Sequence, residues 1–276
     1  MNVVWVHRFP ELASYRYRAL APSAEVAKHG YSTAINNGPA DIVVYAKPTA
    51  DDLPGAVNAK KEGAKIVVDF AGDHFETNPA YTDFALLADA ITSPTTALRA
   101  RIYDYTKKDS VVIPDPYEQE ESEPHADGDN YLWFGHNRSL QELIPVMGSM
   151  GGRKLRVVSG PNPMPTVIPW SLQNLKDAFA VSNIVVLPTK QGSEHKSPNR
   201  LLNALRAGCF PVCMTHPAYL EFKHFVWVGN FPTGLRWAEA FRGDLNGLVK
   251  QGQDYIRDRY SPETIGAQWA NFLGSV

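Results

Sequence analysis

The sequence is poor in the features that stabilise secreted and membrane-embedded proteins. It has two cysteines in 276 residues, Cys209 and Cys213, which are too few for a disulfide framework. No stretch approaches the ~20 consecutive apolar residues that cross a bilayer. The first residues lack a basic region followed by a long apolar run, so we expect a mature first strand there rather than a signal peptide. These absences favour a soluble, cytoplasmic protein.

An excess of charge of either sign is also missing. The chain has 27 Lys and Arg against 29 Asp and Glu, a net charge of -2 with its 8 histidines neutral. This is not the balance of a protein that coats nucleic acids generically, although a local basic patch stays open. With 44% hydrophobic and 11% aromatic residues, the chain can bury a large core, which excludes global disorder. At roughly 100–200 residues per domain, its length suggests one large or two modest domains.

Short apolar runs rich in β-branched residues alternate with segments of helical periodicity. The predicted strands centre on residues 3–6, 42–45, 66–68, 90–92, 111–113, 131–134, 155–158, 184–187, 210–213 and 225–228. Helices are predicted around residues 17–29, 51–62, 94–105, 139–149, 171–180 and 197–207, with two more over 244–274. Ser93 followed by a proline predicts the start of the helix at 94. Strands that are apolar on both faces and separated by helices indicate parallel sheets covered on both sides.

Residues 115–129 interrupt this alternation. They are rich in acids and prolines and have no apolar periodicity, so we expect an exposed linker between domains. The fold class is therefore α/β: two Rossmann-like domains, 1–114 and 130–276, with parallel sheets facing a central cleft. Sheets of this kind bind ligands at the carboxyl ends of their strands, so functional residues should follow strand ends.

The segment 188–212 carries the most chemistry. Ser197, with a proline directly after it, predicts a capped helix whose free amides begin at Asn199. A helix start of this kind binds phosphate, and Lys196 and Arg200 add positive charge beside it. An ordinary capped helix with solvated bases is the structural alternative.

The run Lys196–Gly208, which reads KSPNRLLNALRAG, resembles the donor-binding helix of GT-B glycosyltransferases of family 4, which reads roughly KSPN[KR]LLEALAAGxPV. The likeness extends to residues 130–138 and to the tail 253–269, and more loosely to 14–20 and 113–115. The resemblance implies a retaining, metal-independent transfer of a sugar from a nucleotide-sugar donor, such as a UDP-sugar, to a hydroxyl acceptor. It implies no bound cofactor and no resident metal.

One motif of that family is altered. Family 4 enzymes usually carry a Glu-x7-Glu pair, and its two positions fall here on His195 and Asn203. The resemblance implies that the first lies near the donor sugar and that the second binds the ribose hydroxyls, which an asparagine can still do. Glu194 can substitute for the first if the loop register slips by one.

The resemblance also implies roles for residues that follow the predicted strands. The donor diphosphate is expected to bind Arg138, Lys196, Ser197, Asn199 and Arg200, and the donor ribose and sugar Asn203 and Glu194. The base is expected at Ile168 and Trp170, and the acceptor at His7, Tyr15, Arg16 and Arg18. The expected catalytic residues are His74, Asp73 and His195.

Structural roles and other functions stay open at this point. Asp73 can cap a turn, His7 can pack at a strand end, Arg16 and Arg18 can form a solvated helix face, and Trp170 can be core. The alternative functions are a nucleotide-sugar epimerase or hydrolase and a non-catalytic subunit that binds nucleotide sugars. The acceptor can be a glycan, a lipid-linked sugar or a modified DNA base.

Overall fold

The computed structural model describes residues 1–160, 166–190 and 192–276. Its strands form two six-stranded sheets in which every pairing is parallel. The first sheet has the order β2-β1-β3-β4-β5-β6 and contains β1 (Asn2–Val6), β2 (Ser32–Ile35), β3 (Ile42–Ala46), β4 (Lys65–Asp69), β5 (Ala90–Ser93) and β6 (Val111–Val112). The second has the order β12-β11-β10-β7-β8-β9 and contains β7 (Asn130–Gly135), β8 (Lys154–Ser159), β9 (Ile168–Pro169), β10 (Ile184–Leu187), β11 (Phe210–Met214) and β12 (Trp227–Gly229).

Helices connect the strands in both sheets. Those associated with the first sheet are α1 (Ala13–Tyr15), a π-helical segment (Arg16–Leu20), α2 (Ala21–Ala27), α3 (Leu53–Lys61), α4 (Ala80–Leu87) and α5 (Thr96–Thr106). Those that follow β7 are α6 (Ile144–Met150), α7 (Leu172–Ala180), α8 (Asn199–Arg206), α9 (Phe231–Ala240), α10 (Leu245–Arg257) and α11 (Pro262–Leu273). Short 3₁₀ turns lie at Ala50–Asp52, Asn137–Glu142, Pro217–Phe222 and Arg242–Asp244. None of the helices in the described ranges is long and apolar enough to cross a membrane.

Each sheet is the centre of its own compact unit, which confirms the predicted fold class of two Rossmann-like α/β domains. The first unit comprises residues 1–116, 195–197 and 259–276, and the second comprises 117–194 and 198–258. The central strands β3 and β10 are buried along their whole length. This is the pattern expected of parallel strands covered on both faces, so their apolar runs were a valid signal.

The last helix belongs to the first unit, which corrects the prediction that residues 130–276 form one domain. Trp269 on α11 is fully buried and its ring lies 6.3 Å from that of Trp5 on β1. α11 also approaches α2 closely, because a Cβ at Gly266 would lie 2.2 Å from Cβ of Glu25. The apolar periodicity of the tail predicted its helices, and Ser261 caps α11 as expected, but periodicity does not say which core a helix joins.

The prediction of an exposed linker at 115–129 is wrong. The backbone of this segment packs along α8: the amide of Ser122 donates to the carbonyl of Arg206 at 2.8 Å, and that of His125 donates to Gly208 at 2.9 Å. Gly208 has φ +80°, and a Cβ there would meet the carbonyl oxygen of Glu123 at 2.3 Å. The segment therefore satisfies carbonyls that the end of a helix leaves unpaired, and its acids are used locally. Arg257 in particular donates to Glu121 and lowers the pKa of that carboxyl to about 2.

Other local differences follow from cap geometry and from weak periodicity. The helix predicted at 94 begins two residues later, because the hydroxyl of Thr95, not Ser93, accepts the amide of Leu98. Four elements were not predicted, β2, β9, α4 and α9. β2 and β9 are short, with four and two residues. The buried residues of α9 do follow the spacing of one helix face (Phe231, Gly234, Leu235 and Ala238), so that pattern was present in the sequence and was missed. The predicted strand at 225–228 is displaced to Trp227–Gly229.

Candidate functional site

The strand order of the second sheet places a topological switch point beside β7. From β7 the chain first adds β8 and β9 on one side and then returns to add β10 on the other. Loops that leave neighbouring strands in opposite directions open a crevice at the carboxyl edge, which is the usual ligand site of such sheets. Arg138 follows β7 in an exposed 3₁₀ turn, and Arg200 stands in the first turn of α8, which follows β10.

Arg200 is held by a buried carboxylate at the carboxyl edge of the second sheet. Its Nη2 lies 3.3 Å from Oε2 of Glu142, a carboxylate whose side chain is only 2% exposed. Its Nη1 is buried and has no hydrogen-bond acceptor among the described residues. That nitrogen lies 3.5 Å from the position a Cβ would take at Gly135, the last residue of β7. A buried N–H without an acceptor is costly, and an anion at this edge would satisfy it.

The loop between β10 and α8 is fixed by a histidine that the sequence did not single out. His216 is 3% exposed; its Nδ1 accepts the amide of Ala218, so its Nε2 donates to the carbonyl of Ser193 at 2.7 Å. Glu194 is exposed and its Oε1 accepts the amide of Gly192 at 3.1 Å. Gln191 lies outside the described residues.

The start of α8 differs from its prediction by one position. The prediction made Ser197 the cap and Pro198 the first helical residue, whereas the helix begins at Asn199 and Pro198 takes the cap position. Asn203 is also placed differently from expectation, being 2% exposed. Its Oδ1 accepts the amides of residues 118 and 119 at 2.8 and 3.1 Å. The expectation that this side chain binds ribose is therefore corrected, because its carbonyl oxygen is buried and used by the backbone.

The two residues expected to bind the base lie at the carboxyl edge of the second sheet. Ile168 is in β9 and pairs with Val158 of β8. Trp170 follows β9 directly, is partly exposed, and its amide donates to the carbonyl of Ser159 at 2.6 Å. Their position at a strand end fits the prediction, and their role stays a prediction.

The first sheet has a switch point of its own, between β1 and β3. His7 follows β1 and Lys47 follows β3. Lys47 has a left-handed backbone with φ +55°, a conformation that non-glycine residues adopt mainly where the surrounding structure requires it.

His7 is a buried structural residue, which corrects its assignment to acceptor binding. It is 1% exposed, its Nδ1 accepts the amide of Phe9 at 3.1 Å, and its Nε2 then donates to Oγ of Ser14 at 3.0 Å. Burial, with a smaller contribution from the charge of Lys47, lowers the pKa of His7 to about 4. The ring is therefore neutral near pH 7, and both of its nitrogens have partners. The ring of Tyr15, 5.6 Å away, covers one edge.

Arg18 is likewise structural and not an acceptor ligand. It is 1% exposed and donates to both carboxylate oxygens of Asp69, at 2.8 and 2.6 Å. Its Nη1 donates to Asp115 at 3.1 Å, and its guanidinium lies 5.4 Å from the ring centre of Trp269. Arg16 is in the same π-helical segment but partly exposed, so the two arginines do not form one solvated face. Arg16 and Tyr15 remain candidates for acceptor binding.

The loop after β4 carries Asp73 and His74, which were expected to act on the acceptor. Asp69 is the buried partner of Arg18, and Oδ2 of Asp73 accepts Nε of Arg101 at 2.7 Å. His74 is partly exposed, with its ring 5.6 Å from that of Tyr81. Burial lowers the pKa of His74, and the charges of Lys47 and His195 lower it further, while Asp73 raises it. The ring of His74 is therefore neutral near pH 7, and its catalytic role stays a prediction.

His195 is grouped with the first unit together with Lys196 and Ser197. Its carbonyl accepts Oγ1 of Thr95 at 2.9 Å. The same hydroxyl accepts the amide of Leu98 and so caps α5. One side chain therefore fixes both the helix start and the segment that carries His195, and the electrostatic effect of His195 on His74 follows from that placement.

Three residues that position the candidate site were missed by sequence reasoning: Glu142, His216 and Thr95. Each is buried or nearly so, and each acts on a partner 23 to 100 positions away along the chain. An isolated polar residue carries no periodic signal that predicts such a contact. Among the described residues, no group of three or more His, Cys, Asp or Glu is arranged to hold a metal ion.

Comparison with known proteins shows the fold but not a sequence family. No family model matches the chain, and no curated protein matches it. Among solved structures, a mutant of S. aureus TarM in complex with fondaparinux, α-GlcNAc-glycerol and UDP superposes with a TM-score of 0.63 at 13% identity, over 84% of this chain and 55% of its own. This chain therefore spans about half the length of that one.

Two further structures match this chain over its whole length. An α1,3-fucosyltransferase has a TM-score of 0.58 at 9% identity, over 100% of this chain and 89% of its own. The UDP-GlcNAc 2-epimerase from Neisseria meningitidis, bound to UDP-GlcNAc, has a TM-score of 0.56 at 10% identity, over 100% of both chains. At these identities the likeness shows the fold alone, which is the GT-B arrangement of two Rossmann-like domains.

Proposed function

We propose that this chain is a glycosyltransferase that moves a sugar from a nucleotide-sugar donor to a hydroxyl acceptor, without a metal and with retention of configuration. The observation that carries the proposal is the buried, unpartnered Nη1 of Arg200 beside Gly135, at the switch point of the second sheet. A preorganised cation at this edge is what a departing diphosphate requires. The solved glycosyltransferases of the same fold add support.

The donor half of the reaction is assigned to residues around α8. Breaking the bond between the anomeric carbon and the phosphate oxygen leaves negative charge on the diphosphate. Arg200 and Arg138 stabilise that charge, together with Lys196, Ser197 and the amide of Asn199. Glu194, exposed in the preceding loop, binds a hydroxyl of the sugar or ribose, and Trp170 with Ile168 contacts the base. Asn203 acts indirectly, through the backbone that it holds.

The acceptor half is assigned to the first unit. The oxygen of the acceptor hydroxyl forms the new bond to the anomeric carbon as the bond from that carbon to the diphosphate breaks. The imidazole of His74, neutral near pH 7, accepts a hydrogen bond from that hydroxyl, orients it and takes up its proton. His195 contacts the donor sugar, in the position where family 4 enzymes carry a glutamate.

A panel of nucleotide sugars in a thermal-shift assay tests donor recognition without any knowledge of the acceptor. A donor at about 100 times its Kd stabilises the folded state by about 2.7 kcal/mol, which raises the Tm by about 5–10 °C for a chain of this size. Arg200→Ala should weaken binding at least about tenfold, because a charged hydrogen bond to phosphate is lost. Arg236→Ala, which removes an exposed arginine of α9, is the matched control and should bind as the wild type does. If no nucleotide sugar raises the Tm, the proposed function is wrong.

A nucleotide-sugar epimerase or hydrolase is the second candidate, because the structural match to the UDP-GlcNAc 2-epimerase covers the whole length of both chains. Such an enzyme consumes the donor when no acceptor is present, whereas a transferase needs the acceptor. Product analysis after incubation with the donor alone therefore separates the two. A shift in Tm with no turnover under either condition would assign the chain to the non-catalytic, nucleotide-sugar-binding class.

A further inference from the structure

The loop Asp73–Glu76 is attached to one face of α5 by three of its four residues. Arg101 on α5 donates from Nε to Oδ2 of Asp73 at 2.7 Å and from Nη2 to Oε1 of Glu76 at 3.1 Å. Tyr105, one turn further along α5, donates its hydroxyl to the same Oε1 at 2.7 Å. One guanidinium thus spans the loop and holds both of its ends.

Stacking adds a second, apolar attachment. The ring of Phe75 stacks on that of Tyr105, with centres 5.0 Å apart and planes within 7°. Phe75 is 6% exposed and also contacts the ring of Tyr81 at 5.4 Å. The guanidinium of Arg101 lies 4.8 Å from the ring centre of Tyr105, so the arginine and the tyrosine support one another. Stacked rings and an arginine that bridges two carboxylates are both contacts that require a specific geometry.

The ring of His74 lies 5.6 Å from that of Tyr81 on α4. Its backbone position is nevertheless set by the neighbours on either side, which α5 holds. Three charged groups act on the His74 ring: Lys47 after β3, His195 from its own segment, and Asp73 within the loop. Lys47 and His195 favour the neutral ring, and Asp73 opposes them. The ion pair with Arg101 offsets part of the field of Asp73 at the ring.

We propose that Arg101, with Tyr105, is a positioning residue for His74: it fixes the loop that presents the imidazole to the acceptor and neutralises the carboxylate beside it. The inference rests on the proposed function for the role of His74, but the positioning itself is a property of the folded chain. Arg101 touches neither donor nor acceptor in this scheme.

Three variants of α5 separate the components of this attachment. Arg101→Gln removes the positive charge and the hydrogen bonds of the guanidinium to Asp73 and Glu76. Arg101→Lys keeps the charge but loses the planar group that reaches both carboxylates at once. Tyr105→Phe keeps the stacking and loses the hydroxyl. Arg99→Gln is the matched control, since Arg99 is on the same helix but pairs with the exposed Asp109, at 2.7 Å.

The first readout is the titration of the His74 imidazole by NMR, assigned by comparison with His74→Gln. In Arg101→Gln, Asp73 acts on the ring without its partner, so the pKa of His74 should rise toward its ordinary value. Arg101→Lys should raise it less, and Arg99→Gln should leave it unchanged. This measurement needs no substrate, so it tests the positioning even if the chain transfers no sugar. An unchanged pKa in Arg101→Gln, with the fold retained, would overturn the proposal.

The second readout is kinetic. Arg101→Gln should lower kcat by about ten- to a hundredfold through misplacement of His74, with the KM for the donor unchanged. The acid limb of the pH profile should move upward with the pKa of His74, and Arg101→Lys should recover part of the rate. A loss of activity in Arg101→Gln that follows its loss of Tm, with no movement of the pH profile, would mean that Arg101 only stabilises the fold. If no variant and no wild-type sample transfers sugar while the titration behaves as expected, the proposed function fails and the positioning stands.

Discussion

The strongest structural prediction concerns the buried cation of the first unit. Arg18→Met keeps a side chain of similar length but removes the guanidinium. In the folded chain this leaves Asp69, which is 0% exposed, and Asp115, which is 6% exposed, without their charged partner. Thr92 still donates to Asp69 at 2.7 Å, but one hydroxyl does not replace a bidentate arginine.

The size of the expected loss of stability depends on the burial of Asp69 and Asp115 more than on the number of hydrogen bonds lost. Breaking a buried ion pair by removing one member destabilises a protein by about 3–5 kcal/mol, because the other charge stays buried and uncompensated. For a chain of this size each kcal/mol lowers the Tm by roughly 2–4 °C, so we expect a decrease of about 6–20 °C. The Tm of Arg18→Lys should lie between those of the wild type and Arg18→Met, since lysine keeps the positive charge but not the two parallel hydrogen bonds of the guanidinium.

The assay is thermal unfolding followed by circular dichroism, with Arg99→Met as control. Arg99 pairs with Asp109 at the surface, and surface pairs contribute little, so its loss should leave the Tm unchanged. The triple variant Arg18→Met, Asp69→Asn, Asp115→Asn should recover part of the loss, because it removes the uncompensated charges as well. A decrease of less than about 2 °C for Arg18→Met, below the range expected, would refute the reasoning. So would a triple variant that is less stable than the single one.

Three further predictions concern other buried positions. Burial lowers the pKa of His7 to about 4 in the folded chain, whereas the unfolded chain titrates at its ordinary value, so the stability that the neutral ring contributes is present above about pH 6.5 and is lost as the pH falls toward 4. In His7→Gln, the Tm measured from pH 7 to pH 4 should therefore decline less than in the wild type. An equal decline would contradict the placement of His7 as a buried neutral residue. Gly208→Ala should lower the Tm more than Gly63→Ala, because both glycines have positive φ but only the first would place its Cβ against backbone, at 2.3 Å; equal losses would show that the segment 117–126 does not pack there. Asn203→Leu should lower the Tm, since Oδ1 of this residue accepts two backbone amides; a loss of nucleotide-sugar binding in Asn203→Leu at unchanged Tm would restore the ribose role.

Much of the fold could be predicted from sequence because parallel strands buried on both faces leave a strong apolar signal. β3, β4 and β10 were predicted to within a residue or two for this reason. β9 has two residues, too short to show any period. The acidic segment 117–126 misled because composition reports average solvation, whereas particular groups of this segment have partners on α8 and α10: the amide of Glu118 donates to Asn203, and the carboxylate of Glu121 accepts from Arg257.

The site could be predicted in outline, since polar residues at strand ends mark the carboxyl edges of the sheets. What sequence could not supply is which of them are used up by long-range contacts. Arg16 and Arg18 look equivalent on paper, and only the closure of β4 and β6 onto the π-helical segment makes one of them buried. The same limit applies to Arg101, whose distance of 28 residues from Asp73 conceals a contact that depends on how α5 packs.

The distribution of charge supports a division of chemistry between the two units. In the first unit the acids near the strand ends are neutralised by arginines: Asp52 by Arg8, Asp69 by Arg18 and Asp73 by Arg101. The carboxylates of these acids are therefore engaged in ion pairs. His74 stands beside them as a neutral ring near pH 7, because burial lowers its pKa. In the second unit the buried Glu142 engages one nitrogen of Arg200, and the buried Nη1 of the same guanidinium lies near Gly135 at the end of β7. Burying such a pair is costly unless its polar atoms find partners, and a diphosphate at that edge is the partner that the proposed function predicts.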